Sequence, residues 1–281
     1  MQVYKTVDSI SSEIGKIRQQ GKSIGFVPTM GALHNGHLSL IAQAKQENDV
    51  VVVSVFVNPT QFNDKNDLKN YPRTVEADLK KLEQAGCSIA FVPTEKEIYP
   101  EPDTRVFDFG NLNKVMEGKC RKGHFNGVAQ VVSRLFSIVS PTRAYFGEKD
   151  FQQICVIKSM VKQLGLSVEI VPCPIIRETD GLAMSSRNAL LSQDQRKNAV
   201  QISQTLFKAR EIALNYSVED LKKWVIAQIN ANPFLEVEYF EIVDDVELMP
   251  IADWTEKKNK VGCIAVKVGA IRLIDNIRFN S

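Results

Sequence analysis

The segment DVVVVSVFVNP, Asp49 to Pro59, is the strongest constraint in this chain. It is rich in β-branched valine, closed by an acidic residue and a proline, and leaves almost no polar face for water. Such a run predicts a strand buried on both sides, the condition of a central strand in a helix-covered parallel sheet. Its surroundings agree. SIGFVPT, CSIAFVP, RAYFG and SVEIVPCPI read as further short strands. Between them GHLSLIAQAKQEN, TVEADLKKLEQAG, NGVAQVVSRLFSIVS and DFQQICVIKSMVKQLG carry helical spacing, with Gly86 and Gly165 as helix stops. Alternation of strand and helix over roughly 175 residues predicts an α/β, Rossmann-like parallel sheet flanked by helices, spanning residues 1–176.

The pattern changes in residues 177–281, with the junction near the Met184–Arg187 loop. A long helix begins after Ser192, with Asp194 in its first turn, and a second begins after Ser217, with Asp220 placed for a capping box. LEVEYFEIVD, KVGCIAVKVG and IRLIDNIRF then alternate like an antiparallel meander. This predicts a smaller α+β domain.

Composition narrows the function classes. With 35 Lys+Arg against 33 Asp+Glu, the net charge of +2 gives no support for a nucleic-acid surface. The five cysteines are scattered, odd in number and form no CxxC, so neither a disulfide framework nor a zinc site is expected, and a reducing compartment is. The first twenty residues carry charges throughout, unlike a signal peptide, and no apolar run approaches the ~18 residues of a membrane span. The expectation is a cytoplasmic protein with no membrane partner.

Open parallel sheets bind ligands beyond the carboxyl ends of their strands, and the unusual residues fall there. PTMGALHNGH, Pro28 to His37, spends two of the chain's three histidines where a strand turns into a helix. That geometry aims free backbone N–H groups and a helix dipole at one point, and Gly31 and Gly36 allow close approach to the backbone. His34 and His37 share a helix face if the helix starts between them, and two imidazoles there suit phosphate oxygens. A surface turn is the plain alternative, and zinc a weaker one, with no third ligand nearby. VNPTQF offers the amides of Asn58 and Gln61 for a substrate with hydroxyls and a carboxylate, or simply a turn. In GEKDFQQ, Lys149 suits phosphate, Asp150 an N-cap and Gln153 the same cleft; a capped, solvated helix start is the alternative. GLAMSSRN holds Ser185, Ser186 and Arg187 as polyphosphate ligands, or as an ordinary polar linker. Glu117, Arg121 and His124 lie in a Gly-rich loop that reads either as a lid or as plain surface.

Together PTMGALHNGH, VNPTQF, YPRT, RKGHFNGV, FGEKDFQQ and DGLAMSSRN, in this order, resemble the pantothenate synthetase (pantoate–β-alanine ligase) family across essentially the whole chain. H-x-G-H with a downstream Met-Ser-Ser-type loop also resembles the wider nucleotidyltransferase superfamily that includes class I aminoacyl-tRNA synthetases. One departure is Lys122, where the family often has proline. The resemblance implies ATP and Mg²⁺ as co-reactants, pantoate and β-alanine as substrates, a pantoyl-adenylate intermediate, a homodimer, and a C-terminal domain that closes on the site. Carried over by motif, Met30, Gly31, Ala32, Leu33, His34, Asn35, Gly36 and His37 line the ATP site, joined by Gly147, Glu148, Lys149, Asp150, Ile176, Met184, Ser185, Ser186 and Arg187. His34, His37, Lys149 and Arg187 are the expected catalytic groups. His37 corresponds to the residue labelled a proton donor, although stabilising the charge that leaves with pyrophosphate is the physical preference here. Gln61, Gln153 and Asn58 are expected at pantoate, Gln61 also at β-alanine, and Asp78 near Mg²⁺ through water.

Two rivals remain. Another H-x-G-H enzyme would stop at a nucleotidyl product, but some 95 residues follow the Ser-Ser-Arg loop, more than that reaction requires. A tRNA-binding remnant without turnover would be expected to show a basic stripe.

Overall fold

The computed structural model describes residues 1–279. Strand β1 (Gln2–Tyr4) and helix α1 (Val7–Gln19) open the chain, followed by β2 (Ile24–Thr29), α2 (Asn35–Glu47) and β3 (Val50–Val55). Next come α3 (Lys65–Asn70), α4 (Val75–Gln84), β4 (Ile89–Phe91), α5 (Glu95–Ile98), α6 (Met116–Cys120) and α7 (His124–Val139). The first half ends with β5 (Arg143–Gly147), α8 (Phe151–Gln163) and β6 (Glu169–Cys173). Helices α9 (Gln193–Ile212) and α10 (Val218–Asn230) precede β7 (Leu235–Asp244), β8 (Lys260–Val268) and β9 (Ile271–Phe279).

The first sheet has six strands in the order β1-β4-β3-β2-β5-β6, every pairing parallel. The second is the antiparallel meander β7-β8-β9. This is the architecture that the alternation predicts. The valine strand β3 shows why: Val52 packs with Phe26, Ile89 and Phe91 on one face, while Val51, Val53 and Val55 pack with Val27, Ile41 and Leu82 on the other. A residue of either parity there is buried, so no polar alternation is tolerated.

From β2 the chain winds outward one way through β3 and β4, then returns to lay β5 and β6 on the other side of β2. The carboxyl ends of β2 and β5 therefore point into a crevice at a topological switch point. The loops after β2, β3 and β5 carry the motifs, so the topology gathers segments more than a hundred residues apart.

Several local expectations hold in detail. Ser192 and Gln195 form a reciprocal capping box on α9, and Ser217 accepts the Asp220 N–H at the start of α10. Others need correction. Asp150 occupies the N-cap position of α8 but makes no side-chain capping bond, because its carboxylate pairs with Lys149 Nζ at 3.0 Å. The N-terminal residues, to which the sequence pattern assigns no element, form the edge strand β1 and helix α1, whose Ile10, Ile14 and Ile17 enter the core. Helix α7 starts at His124, ahead of the apolar periodicity that marks it in sequence.

The C-terminal sheet does more than stand beside the first. Val243, Leu248, Val261 and Cys263 belong to the same apolar cluster as Phe146, Phe151 and Cys155 of the first half. Arg278 of β9 reaches Glu148 at 2.6 Å, adding a polar tie to the first half, and Arg177 reaches Asp275 of β9 at 2.6 Å. All five cysteines are free, and only Cys120 is exposed.

Candidate active site

A cavity fills the crevice between β2 and β5. Most of the candidate residues line it: Met30, His34, Gly36, His37, Asn58, Gln61, Gly147, Lys149, Asp150, Gln153, Ile176, Met184, Ser185, Ser186 and Arg187. Gly31, Ala32, Leu33, Asn35, Glu148 and Asp78 are not among the lining residues. The backbone hydrogen bonds explain the difference.

The strand-to-helix geometry predicts free N–H groups in the turn after β2. Instead the turn's own neighbours capture them. Gly31 N–H donates to Thr29 Oγ1 at 3.2 Å, and the N–H groups of Ala32 and Leu33 donate to the two carboxylate oxygens of Asp78 at 2.9 and 2.8 Å. Thr74 Oγ1–H adds a third bond to that carboxylate at 3.1 Å. Asp78 is fully buried, and its acceptor capacity goes to the loop backbone. It is a strut for the turn and stands outside the cavity lining. The turn needs one, since Gly31 and even Ala32 have left-handed backbone, with φ of +81° and +50°. The close approach that Gly31 permits is that of the Asp78 carboxylate, 3.0 Å from where a Cβ would sit.

The two histidines complete the turn with their rings. His34 is the N-cap of α2; its Nδ1 accepts the Gly36 N–H at 3.2 Å, and His37 Nδ1 accepts the His34 N–H at 3.3 Å. Gly36 is required because the His34 ring lies 2.9 Å from where a Cβ would be. The rings sit 4.1 Å apart, centroid to centroid. A nitrogen that accepts a backbone N–H carries no proton, so both rings hold their hydrogen on Nε2 and offer it to the cavity. Burial, followed by the neighbouring Lys149, lowers the His34 pKa to about 4; burial and His34 itself lower that of His37 to about 3. The pair acts as two neutral donors at neutral pH.

The third histidine has the opposite tautomer. His124 Nδ1 lies 2.8 Å from the Gln61 carbonyl, which only accepts, and Nε2 lies 3.2 Å from Arg121 Nη1, which only donates. Burial, then Arg121, lowers its pKa to about 4. With three histidines in the chain, imidazole ¹⁵N spectra will resolve this directly. Two rings should show Nε2–H and one Nδ1–H, and none should titrate between pH 8 and 6. An Nδ1–H signal from His34 or His37 would remove the capping geometry. Unfolding returns these rings to their ordinary pKa, so the unfolded chain binds more protons between about pH 6.5 and 4. Thermal stability should therefore fall as pH is lowered through that window.

Opposite the histidines, Lys149 pairs with Asp150, and Arg187 reaches Asp67 at 3.0 Å above the Tyr71 ring. Burial pushes the Asp150 carboxyl up, but Lys149 and Arg187 outweigh it and hold the group below its ordinary value. Ser185 Oγ accepts the Arg187 N–H, and Ser186 Oγ lies 3.4 Å from the Tyr71 hydroxyl. The Ile176 carbonyl holds the Met184 N–H at 3.0 Å, which ties two of the candidate ATP-site residues together. Glu148 faces away and pairs with Arg278 of β9.

The cavity also has apolar walls, Pro28, Phe56, Val128, Val131, Val132 and Leu135. Gln61 and Gln153 bring amides to it. Asn58 lines it with its amide engaged: its NH₂ donates to Gln61 Oε1 and the Gly127 carbonyl, both at 3.1 Å, and its Oδ1 accepts from Tyr99 and Thr60. Asn58 aims Gln61. Glu117, Arg121 and His124 form neither a lid nor an exposed loop, since Glu117 and His124 are buried beneath the Gln61 turn. Sequence reasoning misses Tyr71, Asp67 and the α7 wall. The periodicity of α7 marks its valines as inward-facing, but core and cavity look alike in such a pattern.

Comparisons with known proteins identify the family. A family model described as pantoate-beta-alanine ligase matches residues 2–278. The chain is 58% identical to a pantothenate synthetase of Phocaeicola vulgatus and 56% identical to one of Porphyromonas gingivalis, each over 99% of both chains. Among solved structures it is similar to pantothenate synthetase from Thermus thermophilus, with 43% identity, a TM-score of 0.93 and full coverage of both chains. It is also similar to the Francisella tularensis ligase complexed with beta-gamma ATP and beta-alanine, at 36% identity and a TM-score of 0.84, covering 100% of this chain and 98% of that one. With its motifs in order, its fold shared and its whole length matched, the chain belongs to the pantoate–β-alanine ligase family.

Proposed function

We propose that this chain joins (R)-pantoate to β-alanine at the expense of ATP, releasing AMP and pyrophosphate, as a step of pantothenate biosynthesis. The observation that carries the reading is a single cavity with two chemistries. Its lining combines two neutral imidazole donors, Lys149 and Arg187 with apolar side chains and the amides of Gln61 and Gln153. Pantoate has the matching halves, a dimethyl carbon for the apolar side chains and hydroxyl and carboxylate groups for the amides. The Francisella tularensis relative, named as a complex with beta-gamma ATP and beta-alanine, supports ATP and β-alanine as ligands.

In the first step a pantoate carboxylate oxygen attacks the α-phosphorus of ATP, and the bond to the pyrophosphate oxygen breaks. Negative charge grows on phosphate oxygens, where the fixed Nε2–H groups of His34 and His37 stabilise it, joined by Lys149 and Arg187 turning from their carboxylate partners. A neutral imidazole donates a hydrogen bond there, so neither histidine need transfer its proton. In the second step the β-alanine amine attacks the acyl carbon and AMP leaves. Gln61 holds the acid against both partners, so positioning and electrostatics suffice and no side chain forms a covalent bond.

Mg²⁺ fits as an ion carried by the nucleotide. Among the described residues no cluster of three His, Cys, Asp or Glu could cage it. Asp150 is the one carboxylate among the described lining residues, and it replaces Asp78 as the group that would face the hydrated ion. The ion would supply charge neutralisation on the phosphates. The family resemblance supports a homodimer in the cytoplasm; among the described residues no helix is long and apolar enough to cross a membrane.

The test is AMP release with ATP and Mg²⁺, adding D-pantoate and β-alanine singly and then together. AMP should appear only with both, one per pantothenate formed. Pyrophosphate release that never leads to amine-dependent AMP would overturn the ligase and leave a nucleotidyltransferase.

A further inference from the structure

Below the Gln61 turn runs a chain of buried polar contacts that begins in the C-terminal sheet. Arg272 on β9 grips the Glu117 carboxylate with both terminal nitrogens, at 2.9 and 2.6 Å, and the Tyr239 hydroxyl of β7 donates to the same carboxylate at 2.7 Å. Arg121 lies 3.8 Å from Glu117 and donates to His124 Nε2 at 3.2 Å. His124 Nδ1–H donates to the Gln61 carbonyl at 2.8 Å. The turn it holds is tightly seated, since a Cβ on Gly127 would overlap the Thr60 carbonyl oxygen.

We infer that Arg272, Glu117, Arg121 and His124 form a positioning relay through which docking of the C-terminal sheet sets the Gln61 turn for the acid substrate. The link is a tautomer lock. A guanidinium only donates, so its hydrogen bond forces His124 Nε2 to be bare and puts the ring proton on Nδ1, where it meets the Gln61 carbonyl. Without Arg272, Arg121 is the only cation left to Glu117 among these contacts and is drawn away from His124. The ring is then free to carry its proton on Nε2 and turn a lone pair toward the carbonyl, which repels it. The relay thus senses the sheet and acts on the backbone of the residue that holds the acid.

The inference rests on the assignment of Gln61 to pantoate, so Gln61→Ala is measured beside the relay variants. All are made in the full chain, with KM for pantoate and for ATP, thermal midpoint and imidazole ¹⁵N shifts as readouts. Arg272→Met should raise the pantoate KM about tenfold, the scale of one hydrogen bond in a buried site, while the ATP KM stays within about twofold. The Nδ1–H signal of His124 should decline together with that change. Glu238→Gln, which loosens Arg272 from within its own sheet, should do less. His124→Asn should retain most of the pantoate affinity, because its amide donates to the same carbonyl; His124→Ala should not. If Arg272→Met does not fold, Arg272→Lys and Glu117→Gln are read by the same criteria. Equal changes in both KM values, or an unaltered His124 tautomer, would overturn the relay. If Gln61→Ala leaves the pantoate KM unchanged, the assignment of Gln61 fails; if it raises that KM and Arg272→Met does not, the relay alone fails.

Discussion

Replacing His37 by alanine should lower kcat about 10²–10³-fold, the usual cost of one donor aimed at charge that develops in the transition state. Its Nε2–H is placed by the turn itself: Nδ1 is bound to the His34 N–H, so the ring cannot rotate without giving up a cap. The alanine variant loses the cap as well, at a cost of about 1 kcal/mol. His37→Gln separates the two effects, because glutamine at the third helical position returns to the N-cap N–H and restores the cap but has no ring nitrogen in the cavity. The expected result is a thermal midpoint near that of the parent with a kcat close to that of His37→Ala. If His37→Gln recovers the rate, the histidine serves the helix and not the phosphates. His34 should behave alike, and the double variant should lose less than the product of the two, since both donors serve one charge.

Asp78→Ala should be the most destabilising single change near the site, by roughly 3 kcal/mol, because unmade buried hydrogen bonds cost about 1–3 kcal/mol each. The carboxylate holds Ala32 N–H, Leu33 N–H and the Thr74 hydroxyl, and it is itself closed off from solvent. Releasing them also frees two left-handed residues that the strut keeps in place. Activity should fall with the turn, while the Mg²⁺ concentration for half-maximal rate in the folded fraction should stay put. Denaturant unfolding and a Mg²⁺ titration on the same sample decide it. A tenfold shift in Mg²⁺ requirement with unchanged stability would return Asp78 to the metal.

Local pattern was enough to establish the architecture and the inventory of the site. A doubly buried strand such as β3 must be continuously apolar, and helices on a sheet must repeat with their own period, so the alternation of the first half and the meander of the second are both legible residue by residue. The motifs at the strand ends named His34, His37, Gln61, Lys149, Gln153 and Arg187, and all of these line the cavity. How each polar group is used was not legible, because hydrogen bonds are settled by partners distant in the chain. Asp78 and Asn58 have the chemistry of ligands, yet each is engaged by backbone or side chains that folding brings to it. The N–H groups of Ala32 and Leu33, just after PTMG, look free until Asp78 arrives from α4. His34 and His124 are the same residue type, but a backbone N–H fixes one tautomer and Arg121 the other. These matters wait for the folded chain, since a buried donor or acceptor must find a partner and the fold alone determines which partners are within reach.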